Sequence, residues 1–175
     1  RLYEKLDILQ DGDTLVLAGS IPASLPQDIY EKIMKRLAGK QISFAVDATG
    51  ELLLKTLPYH PFLVKPNAEE LGEIFSVTIH SPDDAWHYAE KLREKGAQNV
   101  LVSMGGDGAV LLDKTGKKHY RKAYSGKVVN TVGAGDSMVA GFLAGYAKTR
   151  DYAVALQIGS ASGSATAFCE GLADI

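Results

Sequence analysis

Short apolar runs alternate with segments of helical periodicity, and this alternation restricts the fold more than any other feature of the chain. Residues 14–18 and 42–46 are apolar runs typical of buried strands. Between them, Ile29, Ile33 and Leu37 recur at a spacing that places them on one face of a helix. Parallel strands need such crossover helices, which cover the sheet. The pattern therefore predicts an α/β domain with a mainly parallel sheet that is covered on both faces.

The same pattern continues toward the middle of the chain and then changes. Apolar residues 61–64 predict another buried strand, and Asn67 has the side chain expected at the cap of a following helix. The runs 99–102 and 109–112 are joined by a glycine-containing turn, and Gly116 marks a second turn shortly afterwards. We therefore predict an antiparallel hairpin at one edge of the sheet.

Residues 130–142 join a Gly-Ala-Gly turn, a carboxylate and an amphipathic helix. A helix that begins near Gly135 directs its free amides toward the turn, and these amides and the helix dipole favour an anion there. The donors would be the amides of Gly133, Ala134 and Gly135. Asp136 is placed to accept a proton from a hydroxyl that attacks a phosphate held at this turn. The segment indicates phosphoryl transfer, although by itself it also fits an aspartate that caps a helix.

This signature resembles that of the PfkB, or ribokinase-like, carbohydrate kinases. It lacks the Lys-Ser/Thr ending of a P-loop and the later glycine and acid of a dinucleotide-binding fingerprint. Four further segments resemble the same family in the same order, so the similarity covers essentially the whole chain. It implies a ribokinase-like three-layer α/β/α sandwich. Residues 1–175 would form a single, partial domain that lacks the N-terminal part of the sheet and its lid.

The resemblance also implies roles for individual residues. Asp136 would be the catalytic base and would contact the sugar, while the three residues before it would stabilise the transferring phosphoryl group. The other implied contacts are Gly19 and Ser20 with the sugar, Asp47, Asn67 and Glu70 with Mg2+ and its waters, and Lys65, Ser103, Gly105, Gly108 and Ser160 with ATP.

Several of these residues also have a purely structural explanation. Asn67 followed by Glu70 is a capping box and needs no metal, although a capped helix start can also order water around Mg2+. Lys65 could be a solvated surface lysine. The glycines after Ser103 suit an ordinary hairpin, and Ser160 lies among small residues that would let two helices pack closely.

Within the family, the chain is most similar to the branch that phosphorylates the 6-hydroxyl of D-fructose 1-phosphate to give D-fructose 1,6-bisphosphate. Asn130, together with residues 135–142 and 162–168, carries this similarity, because many other members have an aspartate at the position of Asn130. That aspartate helps some relatives bind a monovalent cation, so the resemblance does not extend to activation by potassium. Phosphorylation of tagatose 6-phosphate is the alternative within the family. A noncatalytic nucleotide-binding module, which would be expected to lack the base, and a structural protein whose motifs are only caps and turns are alternatives of other classes.

Most sugar contacts of the family come from the part that this chain lacks. We therefore expect the chain alone to have little or no kinase activity, and we expect a homodimer as the possible assembly of the full-length enzyme.

Charge and composition restrict the remaining partners. The formal charge is −2 and no Lys/Arg-rich block is present, which argues against nucleic acid. No apolar run approaches the roughly 18 residues of a membrane span, and the N-terminus lacks a signal-peptide pattern. Cys169 is the single cysteine and cannot form an internal disulfide, so we predict a cytoplasmic protein in which this thiol is buried and inert.

Overall fold

The fold is built on a six-stranded sheet whose strands are ordered in space as they are in the sequence. It comes from a computed structural model that describes residues 2–172. The first four strands pair in parallel, and the last three form two antiparallel pairs. The predicted parallel sheet with an antiparallel hairpin at its edge is confirmed. In chain order the strands are β1 (Thr14–Ala18), β2 (Ser43–Asp47), β3 (Leu63–Val64), β4 (Asn99–Ser103), β5 (Ala109–Leu112) and β6 (Lys118–Arg121).

Helices cover both faces of this sheet. Successive strand residues point to opposite faces, so Val100 and Val102 lie in one apolar cluster and Leu101 lies in the other. This two-sided burial explains why the central strands are continuously apolar. The helices are α1 (Leu2–Asp7), α2 (Ile29–Leu37), α3 (Gly50–Leu54), α4 (Ala68–Phe75), α5 (Pro82–Glu94), α6 (Ala134–Thr149) and α7 (Tyr152–Ala167).

The two clusters divide the helices into two layers. Buried residues of α2, α4 and α5 pack on one face of the sheet, and those of α6 and α7 pack on the other. The periodicity of Ile29, Ile33 and Leu37 is confirmed as the buried face of α2. Two short 3-10 turns, Leu57–Tyr59 and Gly105–Asp107, complete the regular structure of the described residues.

One prediction about the C-terminal segment is wrong. Cys169 is exposed rather than buried, because it follows the last residue of α7, Ala167, and lies in a segment without regular structure. Within residues 2–172, none of the helices has both the length and the apolar character that crossing a membrane requires.

Candidate active site

The predicted site residues of the first four strands lie together, because the carboxyl ends of parallel strands meet at one edge of a sheet. Gly19 follows β1, and its amide donates to the carbonyl of Asp47 at the end of β2 at 3.1 Å. Lys65 follows β3 directly. Asn67 pairs with Ser103, the last residue of β4, in an isolated parallel bridge. This edge therefore brings together the residues predicted to contact sugar, metal and nucleotide.

A buried ion pair lies at the centre of this edge. The Nζ of Lys65 is 3.1 Å from Oδ1 of Asp47, and the two side chains are only 6% and 17% exposed. Lys65 is thus not the solvated surface lysine that its sequence context also allowed. Burial raises the pKa of Asp47, Lys65 opposes this effect, and the nearby Asp136 and Glu70 carboxylates add to it. Asp47 therefore interacts electrostatically with one lysine and with two other carboxylates.

The Gly-Ala-Gly turn is in contact with this pair. Gly133 is the N-cap residue of α6 and has a φ of 79°, in the left-handed region that favours glycine. A Cβ added to Gly135 would lie 3.1 Å from the Nζ of Lys65 and 3.7 Å from Oδ2 of Asp47. A side chain at this position would require the end of Lys65 to shift by a few tenths of an ångström, so glycine lets the start of α6 approach the pair closely.

Asp136 lies in the first turn of α6, and its side chain is exposed. The structure corrects the alternative in which Asp136 caps the helix, since Gly133 holds the cap position and no side-chain hydrogen bond caps α6. A solvent-facing carboxylate in the first turn of a helix is accessible to a hydroxyl.

The three amides predicted to bind an anion are not equivalent. The amide of Ala134 donates to the carbonyl of Thr131 at 3.2 Å, so it is engaged in this conformation. The amides of Gly133 and Gly135 have no hydrogen-bond acceptor within the described part of the chain. Two free donors therefore lie at the start of α6, which is the arrangement expected of an anion-binding helix terminus.

Asn67 and Glu70 form the predicted capping box. The amide of Glu70 donates to Oδ1 of Asn67, and the amide of Asn67 donates to Oε2 of Glu70, both at 2.8 Å. Each side chain keeps one further polar atom for other contacts. No group of three or more His, Cys, Asp or Glu side chains in residues 2–172 converges closely enough to hold a metal ion directly. Any metal at this edge would have to be held largely through water and substrate.

Apart from Lys65, the residues predicted to bind the nucleotide divide into two groups. Ser103, Gly105 and Gly108 lie at the turn between β4 and β5, where a Cβ on Gly108 would collide with the carbonyl of Arg121. Ser160 is instead buried inside α7, only 4% exposed, and its Oγ has no partner among the described residues. The predicted helix rich in small residues around Ser160 is present, but the sequence did not reveal that this serine is buried.

Tyr30 is a residue of this edge that sequence reasoning missed. Its hydroxyl donates to the carbonyls of Ala18 at 2.6 Å and Gly19 at 3.0 Å, which holds the predicted sugar-binding loop against α2. Burial, together with the charge of Asp47, raises the pKa of Tyr30. Its position directly after Ile29 on a buried helical face was the available signal, although nothing local identified its partners.

An open cleft lies elsewhere on the molecule, beside α4. It has a volume of about 540 Å³ and is bounded by α4 and the residues that follow it, including Glu69 and Glu73. None of the predicted site residues lines it. The carboxyl edge of the sheet is therefore separate from this cleft.

Known proteins resemble the chain over nearly all of its length. The sequence model of the pfkB family carbohydrate kinases matches residues 1–175. A 1-phosphofructokinase of Bacillus subtilis strain 168 is 50% identical over 169 residues, which are 97% of this chain and 55% of that protein. A D-tagatose-1-phosphate kinase of Bacillus licheniformis is 37% identical over 175 residues, which are 99% of this chain and 57% of that protein.

A solved structure agrees with the fold described above. The crystal structure of a Staphylococcus aureus protein described as a phosphofructokinase superposes with a TM-score of 0.91 at 43% identity, and it covers 98% of this chain and 56% of that one. The chain spans about half the length of the relatives that it matches. The predicted ribokinase-like α/β fold is confirmed, and the chain belongs to the pfkB family of carbohydrate kinases.

Proposed function

We propose that the whole protein containing this chain is a sugar-phosphate kinase that transfers the terminal phosphoryl group of ATP to the 6-hydroxyl of D-fructose 1-phosphate. The products would be D-fructose 1,6-bisphosphate and ADP. One observation carries the proposal: an exposed carboxylate, Asp136, follows an N-terminal helical turn with two free amides, and this turn contacts a buried Lys65–Asp47 pair. This supports a base and an anion site that would lie side by side.

Asp136 would act as the base. As the 6-hydroxyl oxygen forms its bond to the terminal phosphorus, the bond from that phosphorus to the oxygen of the leaving ADP breaks. The hydroxyl proton passes to the Asp136 carboxylate. Positioning and charge stabilisation supply most of the rate in such reactions.

The start of α6 would stabilise the transferring group. The amides of Gly133 and Gly135 are free to donate, and Ala134 could join them if its weak bond to Thr131 opened. Preorganised donors of this kind contribute about 3–4 kcal/mol each in other enzymes. Lys65 adds positive charge beneath the turn and offsets the carboxylate of Asp47.

Mg2+ fits this edge as an ion held through water and phosphate rather than by a protein cage. The carboxylates of Glu70 and Asp136 are close enough to raise the pKa of Asp47, but the three carboxylates do not converge on one point. Asp47, Asn67 and Glu70 would hold its waters, and the ion would supply charge that neutralises the nucleotide phosphates.

The sugar is assigned from the relatives. The relative with 50% identity is named 1-phosphofructokinase, and the tagatose enzyme is 37% identical. By its name that enzyme acts on a 1-phosphate, so the 6-phosphate of tagatose has less support than fructose 1-phosphate. A noncatalytic module is disfavoured because the carboxylate proposed as the base, Asp136, is present and exposed. A homodimer and a cytoplasmic location stay predictions.

The test is an ADP-release assay of the whole protein with fructose 1-phosphate, fructose 6-phosphate, tagatose 1-phosphate and tagatose 6-phosphate. We expect the highest kcat/KM with fructose 1-phosphate. Asp136→Asn should lower turnover by a factor on the order of a thousand with little change in ATP affinity, since it removes only the proton acceptor. Unchanged turnover in that variant would exclude Asp136 as the base. The chain by itself should release little or no ADP.

A further inference from the structure

The last turn of α7 is hydrogen-bonded to the first turn of α6. Oγ1 of Thr166 donates to Oγ of Ser137 at 2.8 Å. Thr166 is only 2% exposed, and Ser137 is the residue directly after Asp136. The bond joins residues that are far apart in the sequence, so it relates the position of the proposed base to a second helix.

The same threonine also lies beside the other end of the turn. Its methyl carbon, Cγ2, would be 3.9 Å from a Cβ placed on Gly133, an ordinary van der Waals separation. The methyl group of Thr166 therefore lies on the side of Gly133 where a side chain would begin, and its hydroxyl bonds to Ser137. The neighbouring carbonyl of Ala167 accepts the amides of Val129 at 2.8 Å and Asn130 at 3.2 Å, which holds the segment that leads into the turn.

Close packing between the two helices makes this contact possible. A Cβ on Gly163 would lie 3.0 Å from the carbonyl of Ala134 and 3.2 Å from the Cβ of Met138. The absence of side-chain bulk on α7 brings its backbone against the first turn of α6. The hydrogen bond between the buried Thr166 hydroxyl and the half-buried Ser137 hydroxyl is directional, so it restricts the orientation of the helix end more narrowly than packing alone.

Asp136 depends on this arrangement because its own side chain is not restrained. Its carboxylate is exposed and makes no hydrogen bond to another described residue. Its position relative to an acceptor hydroxyl is therefore set by the backbone of the turn. A displacement of about 1 Å in such a group can cost about a hundredfold in rate.

We propose that Thr166 and Ser137 are positioning residues, which hold the first turn of α6 so that Asp136 and the free amides of Gly133 and Gly135 face the same reacting phosphoryl group. This inference rests on the proposed kinase function. Neither hydroxyl is proposed to touch the substrates, so both act through the turn.

Two substitutions at one position separate the hydroxyl from the methyl group. Thr166→Val in the whole protein keeps the volume of the side chain and removes the donor, whereas Thr166→Ser keeps the donor and removes the methyl. We expect Thr166→Val to lower kcat about tenfold or more, with KM for ATP and sugar within about twofold of the original. Thr166→Ser should retain most of the original kcat.

Thr56 provides a matched control. It is also fully buried, and its Oγ1 donates to the carbonyl of Leu53 at 2.7 Å, away from the proposed site. Thr56→Val should lower the melting temperature with no change in kcat per folded molecule. A similar loss of kcat in Thr56→Val and Thr166→Val, or a loss in Thr166→Ser as large as in Thr166→Val, would overturn the positioning role.

Combining substitutions tests whether the two hydroxyls act as one unit. Ser137→Ala with Thr166→Val should lower kcat no further than Thr166→Val alone, because either change breaks the same bond. Multiplicative losses would contradict the proposal. If Asp136→Asn abolishes turnover but Thr166→Val does not change it, the positioning role fails while the kinase proposal stands. Full turnover in Asp136→Asn would instead exclude Asp136 as the base.

Discussion

Asp47 and Asp113 are both aspartates with little exposure and a basic partner, but they lie at opposite edges of the same sheet. Asp47 ends the parallel strand β2 and is 3.1 Å from Lys65. Asp113 follows β5, which runs in the opposite direction, so it lies at the edge where the parallel strands begin. Its Oδ2 is 2.8 Å from Nε2 of His119.

Their pKa values move in opposite directions, and the number of hydrogen bonds explains why. Burial alone would raise the pKa of Asp113, but hydrogen bonds from His119, Thr115 and the amide of Lys117 outweigh it and lower the pKa to about 2. Burial raises the pKa of Asp47, which has Lys65 as its side-chain partner and two carboxylates nearby. A carboxylate that accepts many hydrogen bonds stabilises a turn, whereas a carboxylate with few hydrogen bonds and with like-charged neighbours is typical of a functional site.

Among substitutions of these two aspartates and their partners, removal of Lys65 should lower activity the most. In Lys65→Met the carboxylate of Asp47 loses its counterion, and the turn at Gly135 loses the positive charge beneath it. We expect kcat/KM of the whole protein to fall by about a hundredfold or more, because the transferring phosphoryl group would lose a preorganised positive charge. The free energy of unfolding should also fall, because the Asp47 carboxylate is left buried and unpaired. ADP release measures the effect, with circular dichroism to confirm the folded fraction.

Lys32→Met is the matched control, because Lys32 pairs with Asp28 at 2.9 Å but both side chains are largely exposed, at 48% and 40%. Exposed pairs contribute little, so this variant should keep its activity within about twofold. Equal activity in the two variants would mean that the Lys65–Asp47 pair is no more important than a surface pair.

Substituting each aspartate should separate stability from activity. Asp113→Asn loses the charge in a set of hydrogen bonds from Thr115, Lys117 and His119, so the free energy of unfolding should fall by about 3 kcal/mol with turnover per folded molecule unchanged. Asp47→Asn should also cost stability, because it leaves Lys65 buried without its counterion, but unlike Asp113→Asn it should lower turnover as well. Urea unfolding and ADP release together would contradict the comparison if both variants lost stability and turnover in the same proportion.

The sequence predicted the kinds of element better than their limits. The run 14–18 coincides with β1, whereas the predicted strand 42–46 is shifted by one residue to Ser43–Asp47. Of residues 61–64, only Leu63 and Val64 enter the ladder. Apolar periodicity is local and therefore visible in the sequence, but the register with the neighbouring strand determines where each strand ends.

The site was predictable where its signal is local. The Gly-Ala-Gly-Asp turn and the Asn67–Glu70 box are short motifs whose geometry follows from neighbouring residues, and the structure has both. The pairing of Lys65 with Asp47, the bond between Thr166 and Ser137 and the burial of Ser160 join distant parts of the chain. No local pattern contains such contacts. The roles of these residues in catalysis stay predictions until the variants are assayed.

The smallest effect is also the most specific, because the two aspartates should change stability with pH in opposite directions. The folded pKa of Asp113, about 2, is below its usual value of 3.8, so its contribution is complete above pH of about 4 and is lost as pH falls through about 2. This contribution is about 2 kcal/mol. The difference in unfolding free energy between the original protein and Asp113→Asn should therefore shrink by that amount between about pH 4 and pH 2.

Asp47 has a raised folded pKa, so ionising it opposes folding: stability from this group is lost as pH rises from 3.8 toward its folded value and is recovered on acidification. The difference between the original protein and Asp47→Asn should then grow in favour of the original as pH falls. Urea unfolding of the three proteins at matched pH values measures both slopes. If both differences in unfolding free energy changed with the same sign as pH fell, Asp47 and Asp113 would not differ in how fully their oxygens are hydrogen-bonded. The distinction between a structural edge and a functional edge would then lose its electrostatic basis.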